Sequence, residues 1–100
     1  MPIYANLFTH TETGKQDIDT IPTEVFQLAQ ELTEKLGGEV RDLYYGSMGE
    51  YDGVAIVEFP DAKSMEQWRL AFEREGTHHI EHYEVFEAEE YFEMIEEATD

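Results

Sequence analysis

The sequence has no cysteine among its 100 residues, and only six basic residues stand against 24 Asp and Glu. The first absence excludes disulfides, thiolate nucleophiles and cysteine-based zinc sites. The second excludes a nucleic-acid partner, because the phosphate backbone is held by clustered Lys and Arg that this chain cannot assemble. Long apolar runs are missing too. The longest uncharged one, Val54–Val57, falls far short of the ~20 residues that span a bilayer as a helix. No basic-then-apolar leader precedes Ile3, so the expectation is a cytoplasmic chain with no membrane partner. A phosphate-cradling glycine loop, a nucleophile elbow and an EF-hand spacing are all absent, and no cofactor is implied.

What is present suffices for a core. Hydrophobic residues make up 41% of the chain, with six Phe, six Tyr and one Trp, which argues against global disorder. The length is that of one ordinary domain, residues 1–100. A domain this small buries about two-thirds of its unfolded surface, so a partner subunit would help it. The net charge of −18 is spread along the chain rather than gathered in a tail. Such a coat repels itself in dilute buffer, and molar salt, with a Debye length of about 3 Å, removes most of that cost. The composition is what a high-salt cytoplasm favours; an ordinary acidic protein is the alternative.

Along the chain, Pro2–His10 is aromatic and β-branched and predicts a strand buried on both faces. Thr11–Thr20 is polar and predicts a loop. Pro22 suits a first helical turn, Val25, Leu28, Leu32 and Leu36 recur at helical spacing, and Gly37-Gly38 supplies the stop. Glu39–Ser47 and Gly53–Phe59 predict a hairpin about the turn Met48–Asp52. Pro60-Asp61 opens a helix that runs to about Glu75, with Ala62, Met65, Phe72 and either Trp68 or Ala71 as its apolar stripe. Thr77–Phe86 predicts a fourth strand. Ala88, Tyr91, Ile95 and Ala98 mark a short amphipathic helix with Glu on its outer face. The order β-α-β-β-α-β-α is that of an α+β, ferredoxin-like fold with spatial strand order 4-1-3-2 and an extra C-terminal helix. Its sheet is apolar on both faces while helices cover one, which predicts a homodimer through the open face.

The segment Gly37-Gly38-Glu39-Val40, then Tyr45 and Met48-Gly49-Glu50-Tyr51-Asp52-Gly53 running into Val54–Glu58, resembles GYD-domain proteins. Weaker similarity reaches back to Ile3-Tyr4 and forward to Pro60-Asp61. The resemblance implies a small domain of the dimeric α/β-barrel type and no established reaction. The histidine-bearing fourth strand and the acidic last helix lie outside the matching pattern.

Several residues are candidates for a site. Tyr51 and Asp52 are either turn chemistry or a phenol and carboxylate at a pocket mouth. Glu58 stands either at a wet strand end or in a dimer cavity, where desolvation would make it a general base. His78, His79 and His82 invite a metal, but on a strand the outer two are about 13 Å apart, so one segment cannot chelate. Antiparallel pairing of the fourth strand with the first brings His10 near His78 or His79, and two histidines are a weak ligand set. Exposed strand-end histidines are the simpler expectation. The same register sets Asn6 beside His82 and Phe8 beside Ile80, placed on the open face with Glu58. That predicts a mixed wall of Tyr4, Asn6, Phe8, Ile56 and Ile80 with polar Glu58 and His82, the pattern of a small-molecule site. Whether Tyr44 or Tyr45 joins it stays open. Three functions compete: a small-molecule-binding or regulatory homodimer, a cofactor-independent monooxygenase- or cyclase-like enzyme with Glu58 or His82 as base, and a structural or interaction module.

Overall fold

Pairing, capping and close packing place each element in the computed structural model, which describes residues 1–16, 19, 21–46 and 49–99. The chain runs β1 (Ile3–His10), α1 (Glu12–Gln16), α2 (Ile21–Lys35), β2 (Glu39–Tyr45), β3 (Gly53–Glu58), α3 (Ala62–Glu75), β4 (His78–Val85) and α4 (Ala88–Thr99). All strand pairs are antiparallel, in the order β2-β3-β1-β4. This is the expected α+β, ferredoxin-like arrangement, with α4 added at the end.

Local chemistry explains the boundaries. Asp61 accepts a hydrogen bond from the Ser64 amide at 2.8 Å and so caps α3 at its first turn. That contact holds the Asp61 carboxyl below the ordinary Asp range. Gly37, with φ 79°, ends α2 in the left-handed region where a side chain is disfavoured. The stretch expected as a loop, Thr11–Thr20, holds the short helix α1. Its signal is Thr11, whose Oγ1 accepts from the Gly14 amide at 3.1 Å and donates to the Gly76 carbonyl at 2.6 Å. Ser47 and Met48, the expected strand end and turn start, lie outside the described residues, as do Asp17, Ile18 and Thr20 of that loop.

The core lies between one sheet face and helices α2 and α3. Tyr4, Phe8, Ala55, Val57 and Ile80 meet Met65, Trp68 and Phe72 there, with Phe59 fully enclosed. Trp68 completes the α3 stripe, whereas Ala62 is exposed. Helix α2 sits more loosely. Its apolar stripe of Val25, Leu28, Ala29 and Leu32 is half-buried, and among residues 23–35 of the helix only Thr33 is buried. Thr33 donates to the Ala29 carbonyl and accepts from the Trp68 indole N–H at 2.9 Å, pinning the C-terminal half of α2 to α3.

The faces of the sheet differ from the sequence expectation. Asn6 pairs with Ala55 on one side and His82 on the other, and Phe8 pairs with Gly53 and Ile80. Directly paired residues point the same way, so Tyr4, Asn6, Phe8, Ile80 and His82 share the helix-covered face with Ala55 and Val57. The register is as expected; for β1 and β4 the face is reversed, while Ile56 and Glu58 of β3 stay on the open face as expected. The reason is the pairing with β3: Tyr4 sits opposite Val57 and Asn6 opposite Ala55, so β1 turns its aromatic residues to the face on which β3 packs against the helices. The Phe8 ring lies over Gly53, where any Cβ would overlap it. Strand β1 therefore buries Tyr4, Asn6 and Phe8 against the helices and leaves Ile3 and Leu7 half-exposed. Strand β2 is a largely exposed edge, with a register shift between Val40 and Asp42.

Candidate functional site

At the end of the sheet nearest the β2–β3 connection, the helix-covered face carries a cluster of rings. His10 pairs with His78 across β1 and β4, with ring centroids 4.8 Å apart. Phe8 meets His78 edge-on at 5.5 Å and Tyr45 at 5.3 Å, and Tyr45 stacks on His10 at 6.4 Å. Strand alternation puts Tyr45 here and turns Tyr44 outward, which settles the choice between them. Asp52 anchors the cluster from the hairpin: its carboxylate accepts the His10 amide at 2.8 Å, and its own amide donates to the Phe8 carbonyl. The carboxylate thus bonds β1 across the sheet rather than the backbone of its own turn.

Helix α2 stands off this end of the sheet, and a cleft of about 40 Å³ opens between them. Its walls are mostly apolar, formed by Phe8, Val25, Ala29, Trp68 and Phe72, with Gln30, Tyr45 and His78 as polar exceptions. The enclosed part has room for a few non-hydrogen atoms, such as one edge of a ring, and opens to solvent beyond. His78 is 4% exposed. Its Nδ1 lies 3.0 Å from Thr77 Oγ1, and its Nε2 is buried with no hydrogen-bond partner. Burial pushes its pKa down from 6.5 to about 4, with His10 adding repulsion and Asp52 opposing it, so the ring is neutral at pH 7. Burial also raises the Tyr45 phenol above its ordinary value. An unpartnered buried nitrogen costs free energy on the order of 1–3 kcal/mol until something hydrogen-bonds to it.

The expected wall of Tyr4, Asn6, Phe8, Ile56, Ile80, Glu58 and His82 is divided by the sheet. Glu58 pairs with Ile3 and Glu39 on the open face, while His82 lies on the helix face, so they cannot serve one ligand as an acid–base pair. His82 instead has its Nε2 3.3 Å from Glu66 of α3. Arg69 also binds Glu66, and chiefly this contact holds the Glu66 carboxyl below its ordinary range. Asn6 is fully buried and donates from Nδ2 to the Ala55 carbonyl at 3.4 Å, leaving Oδ1 unpartnered. Tyr51 reaches over β1 on the open side and donates to Glu81 at 2.9 Å, a bond that raises its pKa. It therefore does not flank the same opening as Asp52.

Of the strand-four histidines, His79 is exposed as expected, whereas His78 is buried, because the residue that pairs with His10 shares the aromatic side of β1. Among the described residues no group of three or more His, Asp and Glu could hold a metal ion. Sequence reasoning missed the cleft walls formed by Tyr45, Trp68 and His78. The available signal was the His10–His78 register combined with the alternation that turns Ala55 and Val57 to the helices. Among the described residues no helix is long and apolar enough to cross a membrane.

No protein of curated function matches the sequence. The family profile of the GYD domain matches residues 4–95, from β1 into α4, and so takes in the histidine strand that the resemblance had left aside. With nearly its whole length matched and the ferredoxin-like strand order beneath it, this chain belongs to the GYD domain family.

Proposed function

We propose that this protein is a homodimeric small-molecule-binding or regulatory protein whose ligand enters the cleft between α2 and the sheet. One observation carries the reading: His78 Nε2 is buried, unpartnered and set in the wall of a mostly apolar cleft. A neutral ring in such a wall suits an uncharged, largely apolar ligand with one hydrogen-bonding group. Among the described residues no Lys or Arg lines the cleft, and the chain carries a net charge of −18, so both disfavour an anionic ligand. The enzyme alternative named Glu58 or His82 as base; the sheet separates the two, so it is left with one of them acting without the other.

The test uses three ring compounds of similar size and different charge: phenol, benzoate and benzylamine. Trp68, the single Trp of the chain, lines the cleft and gives a site-specific indole signal alongside the His78 ring. Phenol should shift both resonances saturably while benzoate leaves them in place. Equal responses to phenol and benzoate, or none to any of the three, would overturn the reading. The dimer rests on the open face, where Ile3, Leu7, Val54 and Ile56 stay half-exposed. Sedimentation in molar KCl should return twice the chain mass, and a monomer at every concentration would refute it.

A further inference from the structure

Helix α4 is amphipathic and touches almost nothing. On a helical wheel Ala88, Tyr91, Phe92, Ile95 and Ala98 fall on one side, and Glu89, Glu90, Glu93, Glu96 and Glu97 fall on the other. Yet Tyr91 is 52% exposed, Phe92 60% and Ile95 46%, and no residue of the helix is buried. Twelve residues are marginal as an isolated helix in water, so this one needs a surface for its stripe.

Where the helix starts limits that surface. Glu87, just before α4, pairs with Arg41 of β2 at 3.6 Å. Arg41 sits in the register shift that sets two β2 residues against Ile56, an open-face residue. The root of α4 is thus tied to the strand at the far edge of the sheet from β4, beside the face that no described helix covers.

We infer that α4 is a clasp for a second copy of this chain: each protomer lays the Tyr91–Phe92–Ile95 stripe on its partner when the open sheet faces meet. The inference rests on the dimer reading above and adds the segment that completes it. Area supports the assignment. Four strands ~4.8 Å apart and ~20–25 Å long present a footprint of roughly 450 Å² per copy. Stable dimers bury about 600–1,000 Å² per partner. A stripe ~18 Å long and ~10 Å wide supplies roughly a further 180 Å² and brings the total into that range. The glutamates lie on the opposite side of α4 and remain in water when the stripe is covered.

Hydrogen exchange of the full chain, followed against protein concentration in molar KCl, tests this directly. The α4 amides should become protected over the same concentration range in which sedimentation shows dimer forming. The double variant Tyr91→Ser/Ile95→Ser should weaken the dimer at least about tenfold, leaving the Trp68 indole signal of the folded core in place. A dimer with rapidly exchanging α4 amides, or one unaffected by the double variant, would overturn the clasp and leave the dimer standing. Protection of α4 at concentrations where the chain is a monomer would show it folding on its own body and also overturn the clasp. A monomer throughout would remove the dimer and the clasp together.

Discussion

His78 joins folding and the candidate site in one side chain. In the unfolded chain its ring takes a proton near pH 6.5, and in the fold near pH 4, so between those values the unfolded state binds more protons. Its contribution to stability is therefore full above about pH 6.5 and falls as pH drops toward 4. Carboxylate protonation over the same range relieves repulsion and works in the opposite direction, so the two must be separated. His78→Leu should lose the histidine-linked part. Comparing the two proteins between pH 7 and 4.5, wild type should lose about 2–3 kcal/mol more than the variant, read from denaturant melts at each pH. Parallel pH curves would mean that His78 is solvated in the fold. The same residue shows how sequence and structure diverge. That His10 and His78 approach each other follows from antiparallel pairing; that the pair is buried follows from the face β1 presents.

At the scale of elements, one strand register decides the site. Both sides of β1 are apolar enough to be buried, with Ile3, Ala5 and Leu7 on one and Tyr4, Asn6 and Phe8 on the other, so alternation alone does not say which meets the helices. Pairing with β3 decides it by setting Tyr4 and Asn6 opposite Val57 and Ala55, which pack against the helices, and Gly53 leaves room for the Phe8 ring. Once that face is set, Glu58 and His82 stand on opposite sides of the sheet. Glu58→Gln should leave the His82 ring resonances within the line width of wild type. A clear shift of those resonances would place the two groups on one side and undo the assignment of faces. The looseness of α2 belongs to this scale as well. Thr33 and Trp68 hold its C-terminal half, while its N-terminal half stands away from Phe8, Tyr45 and His78 and so forms the cleft.

Across the whole molecule charge dominates. The described basic groups form few pairs, and those that form are exposed or half-exposed, as with Arg69 to Glu66 and Glu73 and Lys15 to Glu12. Exposed pairs contribute little, so the net −18 is relieved mainly by counter-ions. We propose adaptation to high salt on that ground. The melting temperature should rise steadily from dilute buffer to molar KCl, by several degrees for a domain of this size. A flat or falling midpoint would dismiss the salt reading. Association should follow the same trend, since two strongly acidic copies meet more easily when screened.

By itself the sequence determined the order of the strands and of the three longer helices, the strand order in the sheet and the pairing of Asn6 with His82, and it brought His10 near His78 or His79 without choosing between them. These rest on local periodicity and on the few topologies open to a β-α-β-β-α-β chain. It also supplied the family, through the Gly-x-Tyr-Asp hairpin and the strand that follows. The tertiary structure alone decided which face of β1 is inside, that His78 rather than Glu58 or His82 lines a cleft, and that α4 leaves its stripe uncovered. Each of these depends on how a ring, a glycine or a helix packs against residues distant in sequence, and that contact energy has no periodicity along the chain from which it could be read.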